Sequence, residues 1–441
     1  MSDRAPEEGA GSARRFARRL ATPLVGATIV VALLSASLWS QGAATIEDFS
    51  STLMGIRRLV SGDSDHYLAI ADALRQGDFR MEHVEPGGGA DRAHRQPGFP
   101  ALLALAETLG AEGAPNLARV DVAVLVASLW IAFLGVRIAT GSSVAGLLAA
   151  AFLFQARFVL DIATSRLLTE PLYVAVSTGA VAAALAYATR QRAAALVAVA
   201  CLGGMAYLVR VNGLLLAASL AVVVLWSDWR SARAAAAALE AARAADPPPP
   251  EGDEGEEEDD DEPDPATQLP LGAYAAALAL FVVVTAPSWV PRAIYAGNPV
   301  YHGYLPNFLW VDEYSRAHVP GPPRYGPSTY LAEHTAGDAA RRLEYGVSRV
   351  FVDSPLDRYG PVACTVVLVA LAILVLTRDA PGLMIAIAGV LQAMPLAWTA
   401  LANPARRLPA TALLPFAAIV VAAAGAALIR RTHPKDEPAE P

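Results

Sequence analysis

The sequence predicts an all-α polytopic membrane protein, with about ten transmembrane helices and two large outer-face loops that carry short interfacial helices. Three observations favour this fold class. Of the 441 residues, 54% are hydrophobic and 17% are charged, whereas soluble domains contain roughly 25% charged residues. Apolar runs long enough to cross about 30 Å of hydrocarbon recur along the chain. No run alternates apolar and polar residues with the period of a strand, so helices are expected throughout.

Apolar length and flanking charge define ten candidate spans. The fifth and sixth are the tightest fits, because a helix needs about 20 residues to cross the hydrocarbon. The spans lie near residues 20–40, 117–137, 143–161, 168–188, 193–209, 211–228, 270–290, 360–377, 381–401 and 408–429.

The distribution of arginine predicts the orientation, because cytoplasmic segments carry an excess of basic residues. With the N-terminal tail inside, an even number of spans leaves both termini in the cytoplasm. The arginines that agree with this topology are Arg14, Arg15, Arg18 and Arg19, then Arg190 and Arg192, Arg230 and Arg233, and Arg430 and Arg431. The predicted location is the inner (plasma) membrane.

This topology divides the chain into five regions, bounded by the predicted spans and their flanking charges. They are a cytoplasmic tail (1–19), helices one to six (20–228) with outer loop 41–116, an acidic linker (229–269), helices seven to ten (270–429) with outer loop 291–359, and a second cytoplasmic tail (430–441).

The first apolar run has a second interpretation. RRFARR precedes it and QGAA follows it, which is typical of a cleaved secretory or twin-arginine signal. An uncleaved anchor is favoured because multi-span proteins often begin with one. Both interpretations put residues 41–116 outside.

The linker determines the sign of the net charge. Twelve acidic residues and no basic one lie between Asp246 and Asp264, and without them the formal net charge of −8 would become +4. Such a stretch is typical of a disordered, solvated spacer, and binding a basic partner is the rarer use. The mildly basic remainder suits a protein beside anionic lipid, and no nucleic acid is expected as a partner.

Titratable residues are concentrated in the two outer loops, which predicts that the chemistry takes place on the outer face. Cys201 and Cys364 each lie in an apolar run, which excludes a disulfide framework and a multi-cysteine metal site. Six of the seven histidines are in the outer loops, namely His66, His83, His94, His302, His318 and His334.

The first outer loop contains GDSDHYLAIADALRQG (62–77). Its apolar residues recur at three- and four-residue spacing and predict a short amphipathic helix that Gly77 closes. Asp63 lies at the N-terminal edge of this helix, where aspartate is a favoured cap. Taken alone, this stretch favours the cap over a catalytic role. The apolar residues are Tyr67, Ile70, Ala71 and Leu74.

The same loop ends in HRQPGFPALLALAETLG (94–110), in which three Pro and Gly residues precede a short apolar helix. About a dozen residues are too few to span, so this helix is expected at the interface or re-entering the outer leaflet. This helix either packs against the bundle or forms a surface on which a lipid-linked substrate lies, with Arg95 available to bind phosphate.

Three further stretches contain polar residues near predicted span ends. Glu170 begins the fourth span four residues after Arg166, and it either compensates the helix dipole or joins a catalytic or metal-binding pair. Arg210 marks the turn between the fifth and sixth spans. The second outer loop, with Asn307, Trp310 and Asp312, has the aromatic composition of an interfacial anchor or a glycan site.

In this order, the stretches resemble the GT-C superfamily of integral-membrane glycosyltransferases, in particular the bacterial branch related to protein O-mannosyltransferases and lipid A aminoarabinose transferases. The resemblance covers most of the chain, and its specificity comes from the order and topological placement of the motifs. These are GDSDHYLAIADALRQG at 62–77, RQPGFPALLAL at 95–105, LLTEPL at 167–172, LVRVNGLLL at 208–216, GNPVYHGYLPNFLWVD at 297–312 and RRLPATALLPF at 406–416.

The resemblance implies an inverting transfer of a sugar from a polyprenyl-phosphate donor to a lipid, protein or envelope-glycan acceptor. The first-loop aspartate of the family, matched by Asp63, would be the base, and Glu170 matches the second acid. The family has a carboxylate directly after the first aspartate, but Ser64 stands there, so Asp65 competes with Asp63. No metal is assigned, although a divalent ion is compatible with the family. The remaining substrate-binding candidates are His66, Tyr67, His94, Arg95, Arg166, Arg210, Asn307, Trp310 and Asp312.

Two other classes of protein compete with a transferase. A transporter or flippase would show ionisable residues near the bilayer midplane, broken helices or related halves. In a non-enzymatic scaffold, the acidic linker would be the functional region. The concentration of acids and histidines on one face favours the transferase.

Overall fold

The computed structural model describes residues 8–60, 62–78, 95–245, 271–299, 305–317, 325–403 and 407–432, with side chains from Pro23 onward. These residues form helices and contain no strand, in agreement with the predicted fold class. The helices are α1 (Glu8–Ser50), α2 (Leu53–Leu59), α3 (Asp63–Arg75), α4 (Gly98–Thr108), α5 (Ala114–Thr140), α6 (Ser143–Gln155), α7 (Arg157–Ser165), α8 (Glu170–Arg190), α9 (Ala193–Val209), α10 (Gly213–Ala245), α11 (Leu271–Ala296), α12 (Tyr314–Ala317), α13 (Pro327–Glu333), α14 (Ala336–Ser348), α15 (Ser354–Thr377), α16 (Ala380–Thr399) and α17 (Arg407–Thr432).

Eight helices of the described chain are long and apolar enough to cross a membrane, so the protein is a multi-pass membrane protein. A ninth candidate is the pair α6 and α7, which is bent by 52° at Ala156. The short apolar helix α9 corresponds to the predicted fifth span. All ten predicted spans therefore coincide with helices, and the exact number that cross stays a prediction.

The centre of the bundle is formed by α8 and α17. In each, 78% of the most apolar window is buried inside the protein, against 22% for α1. α8 packs along α5 and α9, and α17 packs along α6 and α15. Small residues permit close helix approach, as at Gly146, where a Cβ would lie 2.4 Å from the Phe133 carbonyl oxygen.

Several helices continue past the apolar runs that define the predicted spans. α10 extends to Ala245, so the first part of the predicted linker 229–269 is helical. Its alanine-rich sequence is strongly helix-forming, and prolines from Pro247 onward end it. Helical structure also enters the two predicted outer loops, since α1 reaches Ser50 and a nearly continuous helix begins at Ala336. The rest of the linker lies outside the described residues.

The two short helices predicted for residues 62–77 and 94–110 are present. α3 buries Tyr67, Ile70 and Ala71 and packs against α4. Gly77 closes α3 with a φ of 75°, and its amide donates to the Leu74 carbonyl over 3.1 Å. Because both helices are short and packed together on the bundle, they can hold the beginning of α3 in a fixed position.

Candidate active site

Five charged side chains from five separate stretches meet at one end of the bundle. Each lies at or beside a helix end: Asp63, Glu170 and Arg407 are the first residues of α3, α8 and α17, Arg210 directly follows α9, and Arg95 precedes α4. We call these five residues the charged cluster. Helix N-termini favour carboxylates electrostatically, which accounts for the positions of the two acids.

Ion pairs connect all five members of the charged cluster. Arg95 Nη2 lies 2.6 Å from Asp63 Oδ1, and Arg210 Nη1 lies 3.1 Å from Glu170 Oε1. Arg407 joins the two pairs, because its Nη2 lies 3.6 Å from Asp63 Oδ2 and its Nε lies 3.2 Å from Glu170 Oε1. With three arginines and two carboxylates, the formal charge of the cluster is +1.

Exposure changes steadily across the charged cluster. The side chain of Glu170 is 2% exposed and that of Arg210 is 17% exposed, whereas Arg407 reaches 28% and Asp63 38%. Glu170 is therefore the buried end of the cluster, and Asp63 is the end that an incoming molecule can reach.

Aromatic side chains support two of the arginines. The Arg95 guanidinium lies 5.4 Å from the ring centre of Tyr67, which itself meets Phe99 edge to face at 5.2 Å. Arg210 lies 5.9 Å from the ring centre of Tyr173 and donates to Thr169 Oγ1 over 3.0 Å. Such cation–π contacts fix a guanidinium without using its hydrogen-bond donors.

The cluster lowers the pKa of Asp63. Partial burial raises that pKa, but the positive charges of Arg95 and Arg407, a hydrogen bond from Arg95 and the nearby His66 together outweigh burial. Asp63 is consequently a carboxylate at neutral pH. Burial raises the pKa of Tyr67, so its phenol stays neutral.

The sequence does not decide between Asp63 and Asp65 as the base, and the structure places their two side chains in different surroundings. Asp63 joins the charged cluster, whereas Asp65 is exposed on the other side of the first turn. The cap prediction for Asp63 is wrong: Gly62, with a φ of 68°, is the N-cap, and Asp63 is the first helical residue. A positive φ suits glycine, and the Asp63 carboxylate binds Arg95 instead of the backbone.

Of the predicted binding residues, Tyr67, Arg95 and Arg210 belong to or support the charged cluster, and His66 acts on Asp63 electrostatically. Arg166 is exposed at the end of α7 and forms no ion pair with the described residues. His94 lies outside the described residues.

Asp312 belongs to a second cluster, in the second predicted outer loop. Its Oδ1 lies 2.9 Å from Nη1 of Arg342, and its Oδ2 lies 2.9 Å from Nε2 of His334. Arg342 is 1% exposed and lies over the rings of both Tyr330 and Trp398, at 5.0 and 4.7 Å. We call these five residues the loop cluster.

The remaining two loop candidates lie next to the loop cluster. Asn307 is buried in a 3₁₀ turn, Leu305–Leu309, and its carbonyl accepts from the Trp310 amide over 2.9 Å. The ring of Trp310 lies 6.3 Å from that of Tyr330. The turn is also fixed by Arg342, whose Nη2 donates to the Phe308 carbonyl over 3.1 Å.

Arg407 is the main site residue that sequence reasoning did not assign. RRLPATALLPF was one of the quoted motifs, and an arginine that opens a span from the predicted outer side was a usable signal. Tyr173 and Gln392 were also missed. Gln392 Nε2 donates to the Tyr173 hydroxyl over 2.8 Å behind Arg210, a contact between residues 219 positions apart.

The charged cluster is suited to binding an anion. Among the described residues, no group of three or more His, Cys, Asp and Glu side chains has the arrangement of a metal site. The planar guanidinium group of arginine matches the geometry of a phosphate group. A partly exposed carboxylate beside the arginines can accept a proton. No family model, curated protein or solved structure matches the chain.

Proposed function

We propose that this protein is a membrane glycosyltransferase of the GT-C type. It moves a sugar from a polyprenyl-phosphate donor to a lipid, protein or envelope-glycan acceptor on the outer face of the inner membrane. The observation that carries the proposal is the charged cluster, in which three arginines and two carboxylates meet at one end of the bundle.

The net positive charge supports the choice of substrate. A polyprenyl-phosphate sugar carries one negative charge at its phosphodiester, and the cluster has an excess of one positive charge. The short helix α4 beside the site exposes apolar side chains, including Leu105 and Leu109, at 55% and 78%. An exposed apolar helix next to an anion site suits a lipid with a charged headgroup.

Asp63 has the properties of the base. As a carboxylate it accepts the proton of the acceptor's hydroxyl or amine while the acceptor oxygen or nitrogen bonds to the anomeric carbon. The bond from that carbon to the phosphate oxygen breaks on the opposite face, which inverts the configuration. Polyprenyl phosphate leaves with its second negative charge, which is stabilised by Arg95 and Arg407, the partners of Asp63, and by Arg210, the partner of Glu170.

Replacing Asp63 by Asn tests the assignment. Asn preserves shape at the start of α3 but is a poor base, so transfer is expected to fall by about 10²–10⁴-fold. The measurement is transfer from a radiolabelled polyprenyl-phosphate sugar by purified protein, with thermal unfolding as the folding control. Undiminished transfer by folded D63N protein would exclude Asp63 as the base.

A transporter or flippase remains a second candidate because of two observations. The pair α6 and α7 is bent by 52°, and broken helices are common in transporters. Asp121 is fully buried within the candidate span α5 and interacts electrostatically with Glu170. Movement of a lipid-linked sugar across liposomes, without any transfer to an acceptor, would favour this function over the transferase.

A further inference from the structure

Gln96 is a buried residue between the charged cluster and α11. Its side chain is almost completely enclosed, with 5% exposure, and it directly follows Arg95 in the chain. On α11 it meets Ser288 and Arg292, which are both fully buried. A buried amide must place two donors and one acceptor, so its contacts determine what else it can bind.

The two α11 residues determine which way the amide faces. Ser288 Oγ donates to Gln96 Oε1 over 2.8 Å, and Arg292 Nη1 approaches the same oxygen at 3.5 Å. Arg292 also donates to the Ser288 hydroxyl, and its Nη2 donates to the Arg95 carbonyl over 3.4 Å. A guanidinium only donates hydrogen bonds, so the amide atom facing it is the oxygen.

The opposite end of the same amide lacks an acceptor. Within the part of the chain that the structure describes, Gln96 Nε2 has no hydrogen-bond partner and is shielded from solvent. Leaving a buried donor unsatisfied is unfavourable. An oxygen atom placed beside Nε2 would satisfy this donor.

The surroundings of the segment indicate which molecule that is. Arg95 holds the segment to Asp63, and Gly98 lies directly against the chain before Arg210, where a Cβ would come within 2.7 Å of the Leu208 carbonyl oxygen. The segment that carries Gln96 is therefore held on one side to Asp63 and on the other to the stretch that precedes Arg210.

We propose that Gln96 is a further substrate-binding residue, in which Ser288 and Arg292 hold Oε1 and Nε2 donates to an oxygen of the lipid-linked donor. This inference rests on the proposed function, because it takes the donor to be a polyprenyl-phosphate sugar. The oxygen belongs either to the phosphate or to a sugar hydroxyl, and both accept a hydrogen bond from an amide.

Two substitutions at Gln96 separate binding from folding. In Q96E the oxygen that faces α11 is kept and gains charge against Arg292, so the melting temperature is expected to equal or exceed that of the wild type. The donor nitrogen becomes an acceptor, so the Kd for the lipid is expected to rise about tenfold or more. Q96M, which adds no negative charge, is expected to raise the Kd as well and to lower the melting temperature.

The matched control is Q191M at the other end of the bundle. Gln191 Nε2 already donates to the Ser227 carbonyl and the Ser231 hydroxyl, over 3.1 and 2.6 Å. Its loss is expected to lower the melting temperature without changing the Kd.

The measurement is binding of a short-chain polyprenyl phosphate, with and without its sugar, to the purified full-length protein. Weaker binding of both lipids by Q96E and Q96M identifies the acceptor as a phosphate oxygen, and weaker binding of the glycosylated lipid alone identifies it as a sugar oxygen. Wild-type Kd values for both lipids in folded Q96M overturn the inference. If the wild-type protein itself binds neither lipid, the proposed function fails instead.

Discussion

The charged cluster and the loop cluster both pair arginine with carboxylate side chains, but they differ in how completely the arginine charges are paired. In the loop cluster, one carboxylate, Asp312, receives both Arg342 and His334. Arg342 in turn donates to the carbonyls of Trp398 and Phe308, over 2.7 and 3.1 Å, and its guanidinium contacts two aromatic rings. The Arg342 side chain is thus paired within the protein, so we interpret the loop cluster as a structural feature that stabilises the fold.

The charged cluster has more cationic groups than its carboxylates require. Glu170 Oε1 alone receives Arg210 and Arg407, and Arg407 also reaches Asp63. Its members come from helix ends and become more exposed toward Asp63. A partly exposed cluster with more cationic than anionic groups is typical of an anion-binding site. A buried arginine whose charge is paired within the protein is typical of a structural core.

The largest effect that follows from this comparison is on stability. Replacing Arg342 by Met removes a buried cation and leaves Asp312 with His334 alone, which is expected to reduce the free energy of unfolding by about 3–5 kcal/mol. Thermal unfolding of the purified protein measures it. A melting temperature within a degree of the wild type would contradict the structural assignment of the loop cluster.

The same substitution in the charged cluster is expected to act mainly on binding. In R210M protein, Arg407 still pairs with Glu170 over 3.2 Å, so the loss of stability is expected to be smaller than in R342M. Loss of a charged donor to phosphate is expected to weaken polyprenyl phosphate binding by about ten- to a hundredfold. Titration of that lipid into both variants, each below its melting temperature, gives the comparison. If R342M weakened binding more than R210M, the two roles would be reversed.

Acid is expected to weaken the charged cluster through Asp63. The pKa of Asp63 is lower in the folded protein than its unfolded value, which is about 3.9. Its contribution to stability is therefore complete above about pH 4 and is lost as the pH falls through the folded pKa. The effect is small because the Asp63 side chain is 38% exposed and solvent screens its ion pairs.

Melting temperatures of wild-type and D63N protein between about pH 3 and 7 test this linkage. The advantage of the wild type should be constant near neutral pH and shrink below about pH 4. An advantage that does not change over this range would show that Asp63 contributes no proton-linked stability.

The sequence was sufficient for the helices and for four of the five residues of the charged cluster, all except Arg407. Apolar length identified the spans, and the three- and four-residue spacing in α3 identified its buried face. Glu170 and Arg210 were found because polar residues at span ends are conspicuous. The sequence could not indicate that these ends meet, since Arg407 is 344 positions from Asp63 and such contacts depend on packing between helices.

The dependence of side-chain contacts on packing between helices also explains where predictions from the sequence differ from the structure. Asp63 resembled a cap because Asp is a favoured cap, but Gly62 occupies that position and the Arg95 ion pair takes the carboxylate. Trp310 and Asp312 are predicted as substrate-binding residues from the aromatic composition of their loop and from the motif at 297–312. The structure connects Asp312 to Arg342, and the sequence around Arg342 contains no motif that distinguishes a buried arginine from an exposed one.

The smallest expected effect is at Asp65, two residues from the proposed base Asp63, and it tests whether the charged cluster extends to a neighbouring carboxylate. Asp65 is exposed, so D65N is expected to change the free energy of unfolding by less than about 0.5 kcal/mol. Transfer and polyprenyl phosphate binding should stay at wild-type levels, because no arginine of the cluster pairs with Asp65 among the described residues. D65N is thus the matched control for D63N, with the same substitution on the same turn of α3. Loss of transfer in D65N together with normal transfer in D63N would assign the base to Asp65 and leave Asp63 as a structural partner of Arg95.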